Sequence, residues 1–423
     1  MSEELGPRSR RAVKMPAIAR HGRLKKSNPF ATVGKLLAAT LAVVMVSGAS
    51  VAAIAAIDLA NSVKPTVTLA GGEKKEPVKI PQIGAWEGGV NVLLVGSDSR
   101  KGQDPAFGGE DETGDLNDVT MLLHISADHS NATVVSFPRD TFVPIPSCPD
   151  PENPDEPFDS MSYQKINSTL MYGGLPCTVL TVEALTGMEI PYAAEIQFSG
   201  VIAMSNAVGG VPVCISSRIE DEYTGTFLDP GEHTLMGVDA LQFLRTRHGV
   251  GDGSDLTRIS NQQVFLSSLM RTVKSADTLT NPAKLYALAK AALTNIVLSD
   301  DLANVDNMVS MAMALKDIPL DQINFVQYPT GSVEGGVAPD YEAADILFAA
   351  LKADQPIQLG GDTGGSVVDP NAPVVAAPVT PADPAVPADP AAPAAPAPVV
   401  LDSVKGQTAG QYTCSDGRTL DDQ

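Results

Sequence analysis

Residues 90–100 read VNVLLVGSDSR. The run Val90–Val95 is short, apolar and rich in branched side chains, and it stops at Gly96, which is consistent with a buried strand. It delivers Ser97, Asp98, Ser99 and Arg100 to a loop. Two runs of the same kind follow, VTMLLHI at Val119–Ile125 and ATVVSF at Ala132–Phe137, separated by the turn-like ADHSN. Further along, the patterns predict helices over Val179–Leu185, Phe198–Ala207, Ser260–Lys274, Pro282–Leu298 and Leu302–Leu315. VGGVPVCI reads as a turn into a strand ending near Ile215, Asn324–Tyr328 as a last strand and Tyr341–Leu351 as a last helix. Strands alternating with helices predict one α/β domain over residues 89–355, with its sheet between two helical layers.

The two ends of the chain have other compositions. Its 423 residues carry a net charge of −21, but residues 1–35 hold nine Lys and Arg against Glu3 and Glu4, a charge of +7, so the remainder carries −28. That acidic balance argues against nucleic acid as a partner. Between Lys35 and Asp58 lie 22 uncharged residues. At about 1.5 Å per residue they would form a helix roughly 33 Å long, against a bilayer core of about 30 Å. We therefore expect a single transmembrane helix over 36–57, with the basic segment 1–35 cytoplasmic and the rest outside the membrane. A cleaved signal peptide is the rival, with small residues near Ala53–Ala56, although the run exceeds the usual apolar region of one. Residues 58–88 read as a stalk, 356–405 as a Pro/Ala-rich linker expected to be extended or disordered, and 406–423 as a short C-terminal tail. All four cysteines lie beyond the apolar run, where disulfides are permitted. Cys148 and Cys177 flank a Pro/Asp-rich loop and pair most simply with each other; Cys214 and Cys414 either pair or stay free.

The chemistry centres on Leu241–Gln263, LQFLRTRHGVGDGSDLTRISNQQ. From Val90 to Lys352 there are fourteen Lys and Arg, seven of them Arg, and five of those (Arg100, Arg139, Arg245, Arg247 and Arg258) sit in compact motifs. Any one could be a solvated surface residue. Several together in an acidic domain point to a phosphate-bearing ligand, because guanidinium groups capture phosphate oxygens in bidentate fashion. Arg258 and Gln262 share a helix face one turn apart, and Asp255 is placed to cap that helix. Arg139 follows Pro138 at the end of the third strand; Asp140 beside it either orients the guanidinium or begins the next turn. Lys165 is a further cation. Asp98 follows the first strand and Asp118 precedes the second, so both carboxylates approach one point if the strands are neighbours. Two carboxylates in a phosphate site favour magnesium. No nucleophile elbow, zinc-binding helix motif, Walker loop or dinucleotide fingerprint is present.

Six stretches in order, NVLLVGSDSR, NDVTMLLHI, VSFPRDT, KINSTLMYGG, GVDALQFLRTRH and DLTRISNQQ, resemble the LytR-CpsA-Psr family of cell-envelope glycopolymer ligases from Gram-positive bacteria. The resemblance implies an α-β-α domain around a mixed sheet, with a long apolar pocket for a polyprenyl chain. It implies transfer of a glycopolymer from a polyprenyl pyrophosphate carrier to peptidoglycan, assisted by magnesium. Asp98 and Asp118 match the metal-associated acids. Arg100, Arg139, Arg245, Arg247, Arg258 and Gln262 match the pyrophosphate-binding set, with Lys165 a candidate addition. Asp98, Asp118 and Arg139 are the expected catalytic residues, and Asp98 or Asp140 the expected general base. The sequence departs from the family at Asn261 and Leu116, where relatives often have Arg. Hydrolysis of the same lipid, or lipid binding without catalysis, are the alternative functions.

Overall fold

The computed structural model describes residues 29–62, 64–69, 88–101, 103, 114–153, 155–360, 362–370 and 397–423. The chain divides into two compact units, 1–56 and 57–423. Helix α1 (Pro29–Ala60) contains the uncharged run, and large apolar side chains such as Leu37, Leu41, Met45 and Ile54 project outward from it. The side chains of Leu36, Val44, Gly48, Ala49, Ala52 and Ala56 lie outside the described set. Among the described residues no helix is long and apolar enough to cross a membrane. The span expected over 36–57 is thus a proposal rather than an observation.

The larger unit contains, in chain order, β1 (Val90–Ser97), β2 (Asn117–Ile125), β3 (Ala132–Phe137), β4 (Phe142–Ile145), β5 (Met161–Lys165), α2 (Thr169–Thr186), β6 (Tyr192–Ile196), α3 (Phe198–Val208), β7 (Val211–Ile215), α4 (Val238–Arg245) and α5 (Asp255–Lys274). A seven-stranded mixed sheet runs Ile296–Leu298, β6, β1, β2, β3, Ile323–Gln327, Gly406–Thr408. Side chains that are neighbours in sequence enter opposite cores, as the period of two in a strand requires. Leu93, Leu122 and Val135 pack on Val179 and Val182 of α2 and on Leu347 and Phe348 of helix Tyr341–Lys352. Val92, Met121 and Val134 pack in a second cluster with Leu293, Met311 and the α5 residues Leu266 and Met270. A sheet covered on both faces needs apolar side chains at most positions, which is why these strands read as near-continuous apolar runs.

Several expectations need correction. The helix expected over Pro282–Leu298 stops at Asn295, and Ile296–Leu298 turns into an edge strand antiparallel to β6. The helix expected over Ser260–Lys274 begins earlier, at Asp255, and Ser260, Asn261, Gln262 and Gln263 in it are all buried, because it is wedged between both sheets and α4. Part of the expected stalk belongs to the domain, since Val67 bridges to Ser299 and the hydroxyls of Thr66 and Thr68 donate to Asp300; residues 70–87 lie outside the described residues. The domain also does not end near 355. Ile357–Leu359 pairs with Val399–Leu401, both lying in the segment expected to be a linker. The expected tail supplies Gly406–Thr408 as the partner of Ile323–Gln327, satisfying backbone groups that would otherwise form an open edge. It also supplies Cys414–Ser415 as a neighbour of β7. Val367–Val368 of the same expected linker pairs with Cys414–Ser415, and residues 371–396 of it lie outside the described residues. Both disulfides are formed, Cys148–Cys177 as expected and Cys214–Cys414 settling the open pair.

The second disulfide closes a loop of 200 residues. Replacing Cys214 and Cys414 together by Ser is expected to cost about 2–5 kcal/mol, read by denaturant unfolding under non-reducing conditions.

Candidate active site

Strand directions bring three segments to one edge of the sheet. β1 leaves at Ser97, β2 enters at Asn117 and β3 leaves at Phe137, with Ser97 opposite Asn117 and Thr120 opposite Phe137. Asp98, Asp118 and Arg139 therefore converge. Asp118 is the second residue of β2 rather than the residue before it. Asp98 is fixed by Leu116: Oδ1 accepts from the Leu116 amide at 2.8 Å, and the Asp98 amide donates to the Leu116 carbonyl at 3.1 Å. Only the backbone of Leu116 is needed for this.

A turn at residues 138–141, closed by the Thr141 amide on the Pro138 carbonyl at 3.1 Å, presents Arg139 and Asp140. Arg139 pairs with Asp118 through Nη1, and its amide donates to Asp255 Oδ2 at 2.9 Å. From α5, Arg258 Nη2 bonds the Asp118 carbonyl at 2.6 Å and Asp255 Oδ1 at 2.6 Å. Asp255 thus braces two arginines, while the helix is capped by Ser254, whose side chain accepts from the Thr257 amide. Asp140 is held by Lys165 Nζ at 2.8 Å, with Arg139 Nε and Arg247 Nη2 each 3.7 Å away. Gln262 donates to the Leu244 carbonyl at 2.9 Å, tying α5 to the end of α4 next to Arg245.

Electrostatics follow from this geometry. Burial raises the Asp98 pKa above the usual carboxylate value, and Asp118 and Asp115 add to the effect. For Asp140 burial acts the same way but is outweighed by Lys165, Arg139 and Arg247, which hold it below the usual value. Burial lowers the pKa of Arg245, and like charge from Arg100 and Arg258 adds to this. Arg247 is lowered by burial and by Arg139. The six expected cations are interleaved with the carboxylates of Asp98, Asp118, Asp140 and Asp255, with Asp115 and Asp221 close by. Nε of Arg139, Arg247 and Arg258 is in each case buried without a hydrogen-bond partner among the described residues. Such donors suit phosphate oxygens.

Beside the charged cluster opens a cavity of about 310 Å³ between the sheet and α3, α4 and α5. Its walls are mostly apolar, with Leu94, Phe198, Met204, Leu241, Phe265 and Leu269 among them, and its lining also includes the charged Asp118, Arg245 and Arg258 and the polar Gln262. The Arg245 guanidinium lies 4.4 Å from the Phe198 ring centroid. Among the described residues no group of three or more His, Cys, Asp or Glu is arranged to hold a metal. Magnesium commonly needs only one or two carboxylates plus phosphate oxygens. Asp98 Oδ1 and Asp118 Oδ1 are engaged, and the second oxygen of each fits such a role.

Two findings lay beyond the sequence reading. Asn261 does not face the cavity: fully buried, it donates to the Phe243 carbonyl at 2.9 Å and accepts from Ser415 of the C-terminal segment at 2.6 Å. Asp221, also fully buried, was not singled out. Its carboxylate accepts from the Arg247 amide at 3.1 Å, the Thr246 hydroxyl at 2.7 Å and the Tyr223 amide at 2.9 Å, fixing the backbone under Arg247. The turn-rich sequence after it, EYTG, was the available signal.

The site combines, in one α/β domain, clustered arginines with an adjoining apolar cavity. The sequence matches the LytR_cpsA_psr family over residues 57–351, and the chain belongs to that family. It is similar to the cell wall biosynthesis protein LcpA of Corynebacterium glutamicum, with 31% identity over 317 residues, 69% of this chain and 58% of that protein. It is also similar to the polyisoprenyl-teichoic acid–peptidoglycan teichoic acid transferase TagT of Bacillus subtilis, with 29% identity over 267 residues, 62% of this chain and 76% of that protein. The chain spans about three fifths of the C. glutamicum relatives it matches, 58% and 61%. The fold is that of a LytR-Csp2A-Psr enzyme from Actinomyces oris, with a TM-score of 0.51, 20% identity and coverage of 68% of this chain and 96% of that one.

Asp98 and Asp118 are expected to have opposite effects on stability. A carboxyl with a raised folded pKa binds its proton more tightly in the folded state, so stability falls as pH rises past its unfolded value and the penalty is complete above the folded value. At neutral pH Asp98→Asn is therefore expected to raise the melting temperature. Asp118→Asn, which strips the counter-charge from Arg139, is expected to lower the melting temperature.

Proposed function

We propose that this chain is a membrane-anchored phosphotransferase that moves a glycopolymer, as a phosphoglycosyl group, from a polyprenyl pyrophosphate carrier to peptidoglycan. The observation that carries this reading is the apolar cavity beside a cation cluster in which the buried Nε atoms of Arg139, Arg247 and Arg258 have no hydrogen-bond partner among the described residues. An isoprenoid chain suits the cavity, and a pyrophosphate suits Arg245 and Arg258 within it and Arg139, Arg247 and Lys165 beside it. Anchoring rests on the basic segment 1–35 and the uncharged run 36–57, and puts the domain on the extracytoplasmic side.

In the proposed reaction a sugar hydroxyl of peptidoglycan attacks the sugar-bearing phosphorus. The bond from that phosphorus to the bridging oxygen breaks, a phosphodiester forms, and polyprenyl monophosphate leaves with the bridging oxygen. Such transfers are catalysed mainly by positioning and by neutralising charge on the phosphoryl oxygens, which the arginines supply. Magnesium held by Asp98 and Asp118 would add charge neutralisation at the same oxygens. Asp140, held by three cations, is a poor proton acceptor, and a magnesium ion on Asp98 would lower that carboxylate's basicity in the same way, so Asp98 serves as the base only where Asp118 alone holds the metal.

The test uses the full chain in detergent with a glycan-bearing polyprenyl pyrophosphate, peptidoglycan and magnesium. Polyprenyl phosphate should be released as glycan appears on peptidoglycan. Asp98→Ala and Arg139→Ala should each slow this by about 100-fold or more, and chelation should abolish it. Equal release without peptidoglycan would make the protein a hydrolase. Bound lipid with no turnover would make it a lipid-binding protein.

A further inference from the structure

The cations of the site form two groups. Arg245 and Arg258 line the apolar cavity, whereas Arg139, Arg247 and Lys165, gathered around Asp140, are not among its lining residues. Each end of this outer group carries an aromatic pair. At one end Phe142 and Tyr163 stack with centroids 4.6 Å apart and planes 5° from parallel, and Lys165 Nζ lies 5.6 Å from the Phe142 centroid. At the other, His248, next in the chain after Arg247, meets the ring of Tyr223 at 4.6 Å.

Both tyrosines are open to solvent, Tyr163 at 61% and Tyr223 at 80% exposure, so core packing does not account for them. Their backbones are nonetheless fixed. Tyr163 sits in β5 between Met161 and Gln164, both paired with β4, and its ring is stacked on Phe142; the Tyr223 amide is held by the same buried Asp221 carboxylate that holds Arg247. An exposed, immobilised aromatic face loses little freedom when a ligand settles on it. A pyranose ring offers C–H bonds on one face and hydroxyls around its edge, so it stacks on an aromatic face while bonding to adjacent charged side chains. In the outer group Lys165, Asp140 and Arg247 are those neighbours.

We propose that Tyr163 and Tyr223 are the platforms of a saccharide subsite that takes the sugar rings flanking the transferred phosphate. This rests on reading the site as a phosphoglycosyl transferase. Sugar rings reach that position from the lipid-linked donor and from the peptidoglycan acceptor, and the chemistry of recognition is common to both.

The full chain in detergent is titrated with three probes: a short polyprenyl pyrophosphate without sugar, the same lipid carrying a hexosamine, and soluble disaccharide fragments of peptidoglycan glycan. Tyr163→Ala and Tyr223→Ala should each weaken at least one saccharide probe by about three- to tenfold and leave the sugar-free lipid unchanged. Tyr→Phe at either position, which keeps the ring, should retain parent affinity. Loss confined to the hexosamine lipid assigns the platform to the donor, and loss confined to the fragments assigns it to the acceptor. Equal affinity of parent and Ala variants for both saccharide probes overturns the subsite, as does equal loss in Phe and Ala variants. Failure of the parent to bind the sugar-free lipid instead overturns the proposed function, and the fragment titration then still decides the subsite.

Discussion

Asp118 carries a counter-charge that Arg139 and Arg258 share, and the geometry of the site depends on it. The two arginines come from a turn after β3 and from the first turn of α5, more than a hundred residues apart in the chain. Without a carboxylate between them, two like charges would face each other in a region shielded from water, where repulsion is weakly screened. Asp255 reinforces the arrangement from the other side by accepting a hydrogen bond from the Arg139 amide and forming an ion pair with the Arg258 side chain. Placing Asp118 inside β2, rather than on a mobile loop, makes the counter-charge as rigid as the sheet. An incoming anion therefore meets guanidinium groups already aimed, and reorganisation costs little.

The same edge of the sheet explains why charge and apolar space adjoin. β1 and β2 contribute Leu94, Val119 and Met121 to the cavity wall while their ends carry the acids. One helix, α5, does likewise: Arg258 and Gln262 stand at the charged end and Phe265, Leu266 and Leu269 continue along the apolar wall. A ligand with an apolar chain and a phosphorylated head is thereby oriented by two elements at once.

Much of this was legible in the sequence. The three central strands declared themselves because burial on both faces makes most of their positions apolar, with Thr120, His124, Thr133 and Ser136 as buried polar exceptions. The arginines stood out against an acidic background. Short elements were harder to see: β6 reads YAAEI, with too few branched residues to mark a strand, and β4 and β5 are hairpin strands interrupted by an irregularity. Helix α5 misled in another way. Its buried polar residues bond to neighbouring elements, as Asn261 does to Phe243 and Ser415, so polarity did not mark an outer face. The contacts that carry the C-terminal segment back onto the domain span up to two hundred residues of sequence, and no local pattern announces them.

Those contacts change what the Pro/Ala-rich stretch amounts to. The described residues on both sides of 371–396 are tied to the domain, Val367–Val368 by pairing with Cys414–Ser415, and the residues after 396 by paired strands and the Cys214–Cys414 bond. The stretch is an insertion with both ends moored, so its length does not set how far any terminal module reaches from the domain. A protease that cuts within it leaves one intact covalent assembly, and only loss of both the cut peptide bond and the disulfide sets the C-terminal piece loose.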